Sequence, residues 1–170
     1  MPRILVPADG SASSLYAIRH VIAKFHQRPD LEIHLLNVQP AFSKHITAHT
    51  SSSDRMDFHR ELAETALARA QQMLDIAGIP YTTHLEVGNK VEHIVEAARR
   101  LECDAIVMGT ARKSSLVRLV ESSVTNQLLE RATVPIEVIA GDAASRLERI
   151  GIPAGMGAGA GIVALWVAAN

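Results

Sequence analysis

The sequence predicts an α/β protein built on a parallel sheet with helices packed on both faces. Three observations carry this. Apolar runs of strand length alternate with segments of helical period across residues 1–141. Runs such as Ile4–Val6 and Ile106–Met108 are continuous rather than alternating, as expected of strands buried on both faces. The breaks between segments carry turn and cap residues: Asp9-Gly10-Ser11, Gly78 followed by Pro80, and Gly88-Asn89. Sheets of this kind use right-handed crossovers and bind ligands beyond the carboxyl ends of their strands, where strand order reverses.

Each element has its own signal. Arg3–Pro7 reads as a buried first strand opening into a helix, with Ser11 or Ser13 as its N-cap. Leu15, Ile18, Ile22 and Phe25 recur at helical spacing and mark the inner face of that helix. Pro29-Asp30 turns the chain into a second strand, Glu32–Val38, stopped by Pro40. Residues 41–54 are polar and rich in Ser, Thr and His, and read as a surface loop. A long helix follows over 56–77, with Phe58, Leu62, Ala66, Ala70, Met73 and Ala77 along its inner side, closed by Gly78 and Pro80. Tyr81–Val87 is a third strand, and Gly88-Asn89 leads into a helix facing inward through Val91, Ile94, Val95, Ala98 and Leu101. Ala105–Met108 is the fourth strand and Ser122–Arg131 the fourth helix. Pro135–Ile139 is the fifth strand, which a proline can open but not interrupt.

Composition narrows the function classes. With 170 residues, 48% hydrophobic and 21% charged, the chain has the balance of a soluble globular domain with room for a core. A net charge of −1 supplies no field toward nucleic acid or acidic lipid, and Arg99-Arg100 is too short for a nucleic-acid patch. The single cysteine, Cys103, excludes an internal disulfide and suits a reducing cytoplasm; it reads as a small buried side chain. The N-terminus enters a strand directly, unlike a signal peptide. No serine sits in a G-x-S-x-G setting, so a hydrolase nucleophile is missing. His45, His49 and His59 complete no metal-ligand pattern and read as solvated loop residues; His20, His26, His34, His84 and His93 read as surface positions, one per element. The expectation is a cytoplasmic protein without catalytic machinery or a metal.

The strand ends that would face a ligand are Pro7-Ala8-Asp9, Val38-Gln39, Val87-Gly88 and Met108-Gly109. Asp9 suits two roles, bonding a ribose or helping to hold Mg²⁺, or capping the first helix. The stretch GTARKSSLVRLVESSV, Gly109–Val124, starts like a phosphate loop but lacks its later glycines. These features sit in a recognisable order. ILVPADGS, LLNVQP, VGNKVEHIVEAARRLECDAIVMGT and ESSVTNQLLERATVPIEVI together, over Pro2–Ala140, resemble the universal stress protein (UspA) family. The resemblance implies a five-stranded parallel sheet, Rossmann-like and of the adenine-nucleotide α-hydrolase-like kind. It also implies a homodimer formed through the last strand, 136–139, and a stress-response or signalling role.

Members of that family that bind ATP carry a loop of the form G, two residues, G, nine residues, G, then S or T. The matching positions here are Gly109, Arg112, Ser122 and Ser123, of which only the first and last agree. Position and resemblance together make Pro7, Ala8, Asp9, Val38, Met108, Gly109, Arg112, Ser122, Ser123 and Val124 the candidate nucleotide-binding residues. Glycine lets backbone N–H groups approach phosphate; positive φ costs an arginine about 1 kcal/mol or more. Ser122 adds bulk, yet Ser122 and Ser123 begin a helix, and Arg112, Lys113 and Arg118 add positive charge that suits an anion. The expectation is a binding module with a degenerate adenine-nucleotide site and weak or absent ATP binding. The alternative is an ATP/ADP-binding switch or slow ATPase.

Residues 1–141 form the domain, and 142–170 a glycine-rich apolar extension. Ile150–Ala169 is uncharged and long enough to span a bilayer; Gly155 and Gly159 have small-x-x-x-small spacing, Arg146 and Arg149 precede it, and Trp166 falls near its end. Pro153 and the many glycines oppose a spanning helix. Membrane contact, packing on the domain or a partner subunit, and a disordered linker remain the three readings of this tail.

Overall fold

Strands form where β-branched and aliphatic residues run together, and each helix begins where a side chain can take its first orphan N–H groups. A computed structural model of the protein describes residues 1–43, 51–110 and 124–140. Strand β1 (Arg3–Pro7) leads to helix α1 (Ala12–Gln27), then β2 (Glu32–Gln39) and α2 (Ser52–Ile76). After these come β3 (Thr82–Val87), α3 (Lys90–Arg100), β4 (Ala105–Thr110), α4 (Val124–Arg131) and β5 (Ile136–Ala140). Ser11 caps α1, its Oγ accepting from the Ser14 N–H at 3.2 Å, and Ser51 caps α2 by the same bond to Asp54 at 3.1 Å. Asn89 Oδ1 accepts from the N–H groups of Val91 and Glu92 and opens α3.

All strand pairs are parallel, in the order β3-β2-β1-β4-β5. Alternate residues of the central strands feed two cores. Ile4, Val6, Ile33, Leu35 and Val107 pack with α1 and α2 residues such as Ile18, Leu67 and Leu74. Leu5, Leu36, Ile106 and Met108 pack with Val91, Ile94 and Leu128 of α3 and α4. Burial on both faces is why these strands read as unbroken apolar runs. The chain winds from β1 out to β3 and then crosses to the other side of β1 through α3, so strand order reverses between β1 and β4.

Three expectations need correction. Helix α2 starts at Ser52, four residues before the expected start, because Ser51 supplies the cap. Its buried side is His59, Ala63, Leu67, Ala70 and Leu74, while Phe58 and Leu62 are 48% and 38% exposed. Two stripes compete on this helix, and the one with the larger apolar residues at its start does not face the core. His34 and His59 are buried rather than solvated. His34 Nδ1 lies 3.0 Å from Nε2 of His84 across the β2–β3 pair, with Glu32 Oε1 at 3.2 Å from its other nitrogen. Burial, then the charges of His34 and Arg100, lower the His84 pKa from its ordinary value. Cys103 is buried as expected, and burial pushes its thiol up to about 11.

Candidate functional site

The reversal of strand order opens a crevice above β1 and β4, and the chain shapes it from both sides. Gly10 sits at φ +78°, and a Cβ there would meet the Ala66 carbonyl oxygen of α2 at 3.1 Å. Gly10 therefore lets the chain turn sharply off β1 under α2. Inside that turn Asp9 Oδ1 accepts from the Ser11 N–H at 3.1 Å, an Asx-turn. The cap of α1 is Ser11, so Asp9 is left as a carboxylate at the mouth of the crevice, about half exposed. Lys90, the first residue of α3, brings its Nζ to 3.7 Å from Asp9 Oδ2. Partial burial raises the Asp9 pKa, but the Ser11 hydrogen bonds and the Lys90 charge outweigh it, and the net shift is downward. Asp9 is thus an anion at neutral pH, placed to accept hydrogen bonds.

Behind it lies a polar clamp that the sequence pattern did not reveal. Asn37, 2% exposed, donates from Nδ2 to the Ala8 carbonyl at 2.7 Å, and its Oδ1 accepts from Gln39 Nε2 at 2.6 Å. The Ala8 N–H donates to the Leu36 carbonyl, and the Gly88 N–H to the Gln39 carbonyl. Successive residues of a strand turn their backbone groups to opposite sides. Leu36 faces β1 and Gln39 faces β3, so the N–H and C=O of Val38 point toward β1, beyond where β1 ends at Pro7. They overhang the crevice. A single asparagine inside a buried strand was the available signal, since a buried amide must find partners.

Gly109 also has a packing role that the sequence did not show. It lies inside β4 and is not in the positive-φ region. A Cβ there would fall on the Ser13 carbonyl group and 3.1 Å from the Ser14 nitrogen. The missing side chain lets the first turn of α1 press directly onto β4, which fixes the distance between Asp9 and the β4 tip. Pro7, Ala8, Asp9, Val38, Met108, Gly109 and Val124 are all described, and the carboxyl ends of β1, β2 and β4 bring the first six together. Arg112, Ser122 and Ser123 lie outside the described residues, as do Lys113, Arg118, His45, His49 and the extension 142–170. Among the described residues no three His, Cys, Asp or Glu side chains converge as metal ligands, and no helix is long and apolar enough to cross a membrane.

A five-stranded parallel sheet whose strand order reverses between β1 and β4 defines a class of doubly wound α/β proteins, and comparison with known proteins narrows it. Residues 1–140 match the model of the universal stress protein family. Universal stress protein MJ0531 of Methanocaldococcus jannaschii is 30% identical over 139 residues, covering 81% of both chains. Among solved structures, the hypothetical protein MJ0577 superposes with a TM-score of 0.66 at 24% identity, over 84% of this chain and 97% of its own. A universal stress protein family member from Arabidopsis thaliana, solved with AMP bound, superposes with a TM-score of 0.61 at 17% identity, over 84% of this chain and 94% of its own. The chain belongs to the universal stress protein family.

Proposed function

We propose that this protein is a binding module for stress response or signalling, without turnover chemistry, whose crevice takes an adenine nucleotide with a short phosphate chain. The arrangement of Asp9, Lys90 and Val38 around that crevice carries the reading. The overhanging backbone of Val38 offers one donor and one acceptor, which suits the edge of a purine base. The Asp9 carboxylate accepts from ribose hydroxyls, and Lys90 holds that carboxylate while adding positive charge beside it. ATP binds weakly or not at all, because Arg112 and Ser122 stand where a triphosphate loop needs Cβ-free backbone. AMP in the Arabidopsis relative supports the ligand class.

The functional unit in this reading is a homodimer. Strand β5 is an edge of the sheet and leaves Val138 38% exposed, so a second copy can pair there. Isothermal titration of the dialysed full chain tests the ligand claim. AMP should bind more tightly than ATP, and Asp9→Asn should weaken AMP about tenfold, the equivalent of one charge-assisted hydrogen bond. AMP affinity unchanged by Asp9→Asn would remove the carboxylate from the site.

A further inference from the structure

Two histidines meet across the β2–β3 pair, away from the crevice. His34 stands two residues before Leu36 on β2, and Leu36 is the register partner of His84 on β3. Leu36 packs against α3, so alternation along both strands turns the two rings to that same face. His34 is 6% exposed, and its Nδ1 lies 3.0 Å from His84 Nε2. The rings are tilted by 42° with centroids 5.2 Å apart, so they meet nitrogen to nitrogen rather than face to face.

One of these nitrogens has to donate and the other to accept. Two neutral rings satisfy this, and so does a neutral ring beside a cation. Two cations do not, because both nitrogens then carry hydrogen and two like charges face each other at 3.0 Å. The acidic neighbours on both sides are already matched by arginine. Glu32 Oε1 is 3.2 Å from His34 Nε2, near enough to attract a charge on the ring but out of line for a hydrogen bond. That carboxylate receives Arg3 of β1 at 2.9 Å, and Arg3 also reaches Glu102 at 3.1 Å. Asp104 accepts from the Arg3 backbone N–H, and the neighbouring Cys103 thiol, pushed up to about 11, is uncharged. Glu86 of β3 is taken by Arg100 of α3 at 2.6 Å and faced by His93 at 3.8 Å. Burial, then the charges of His34 and Arg100, hold the His84 pKa below its ordinary 6.5 against the pull of Glu86.

The strand this pair holds is a weak edge. β3 pairs only with β2, and none of its six residues is fully buried. We propose that His34 and His84 form an acid-sensitive clasp on β3, which holds the strand while the pair carries no more than one charge and releases it when both rings are protonated. In an opened strand His84 takes up a proton as the unfolded chain does, whereas the closed strand resists it. Between those two affinities the open form binds more protons, so acid favours opening below about pH 6.5. Above that window the rings are neutral in both forms and the effect disappears.

Amide hydrogen exchange of the full chain, followed by NMR from about pH 7.5 to about pH 5 and corrected for the intrinsic rate at each pH, reads the clasp. Protection of the β3 amides bonded to β2 should fall about tenfold, the effect of one proton resisted over one pH unit, while β1 and β4 amides change by less than about twofold. His84→Gln, at a half-buried edge position, keeps an N–H donor but takes no charge, and should abolish the fall. His93→Gln removes the other histidine that faces Glu86 and should leave the fall in place. Should His84→Gln fail to fold, ring titration of the parent decides alone: the second proton of the pair should bind at lower pH than in the urea-unfolded chain. The proposal is overturned if β3 and β4 lose protection together, if His84→Gln keeps the fall, if His93→Gln removes it, or if both rings take up protons at the unfolded value.

Discussion

Replacing Gly109 by alanine would set a methyl group against main chain rather than against a movable side chain. The added Cβ falls on the Ser13 carbonyl group and 3.1 Å from the Ser14 nitrogen. Comfortable contacts between non-bonded carbons are about 3.5–4.0 Å, so the overlap must be relieved by moving backbone. Either the first turn of α1 lifts from β4, or β4 bends away from its partners β1 and β5. Overpacking costs about 1–3 kcal/mol, occasionally more, and an obstacle of this stiffness belongs at about 3 kcal/mol. In a chain of this size 1 kcal/mol moves Tm by about 2–4 °C, so the variant should melt about 6–12 °C lower. Thermal unfolding of the full chain followed by circular dichroism reads this directly. The same turn carries Asp9 and Ser11, so AMP affinity should fall with it. A variant melting within about 2 °C of the parent would refute the packing argument and return Gly109 to a role in the loop alone.

Other consequences follow from the same geometry. Asn37→Leu keeps the volume but leaves the Ala8 carbonyl without its amide donor, and should cost about 1–3 kcal/mol in denaturant unfolding. Glu137 of β5 receives the Lys24 ammonium at 2.7 Å, and that hydrogen bond, against opposing burial, holds its carboxyl below the ordinary value of 4.5. A depressed carboxyl contributes stability above its unfolded pKa and loses it as pH falls through the folded one. Glu137→Gln should therefore be less stable than the parent at neutral pH, by under about 1 kcal/mol because the pair is partly exposed, and the difference should vanish in acid. Cys103, with its thiol pushed up to about 11 and its side chain buried, should resist a thiol-specific reagent at pH 8 in the native state and react at once in denaturant. Val138→Lys on the β5 edge should shift the chain toward monomer in light scattering at micromolar concentration.

Most of the fold was legible because a doubly covered parallel sheet writes itself as apolar runs separated by caps. Ser11 and Asn89 announce α1 and α3 correctly, and Gly78 turns the chain off α2 at φ +66°. The inner face of α2 was misread because periodicity weighs residues by hydrophobicity alone. Phe58 and Leu62 outweigh Ala63 and Ala70 on that scale, yet small residues let a helix sit closely on a sheet. The site was less legible for a different reason. Gly109 is explained by the backbone of Ser13, about 96 residues away in sequence, and Asp9 by Lys90, about 81 residues away, so no local pattern connects them. His34 and Asn37 are polar residues within the buried run of β2, and each was a signal that burial demands a partner.

The proposed function rests on two readings, that the crevice accepts an adenine nucleotide and that Arg112 and Ser122 replace glycines a triphosphate loop needs. Competitive calorimetry of AMP and ATP on the dialysed full chain, repeated with Arg112→Gly combined with Ser122→Gly, tests that most directly. The account predicts that AMP binds the parent more tightly than ATP and that the double change strengthens ATP while leaving AMP nearly unaltered. Sub-micromolar ATP binding by the unaltered chain would contradict it.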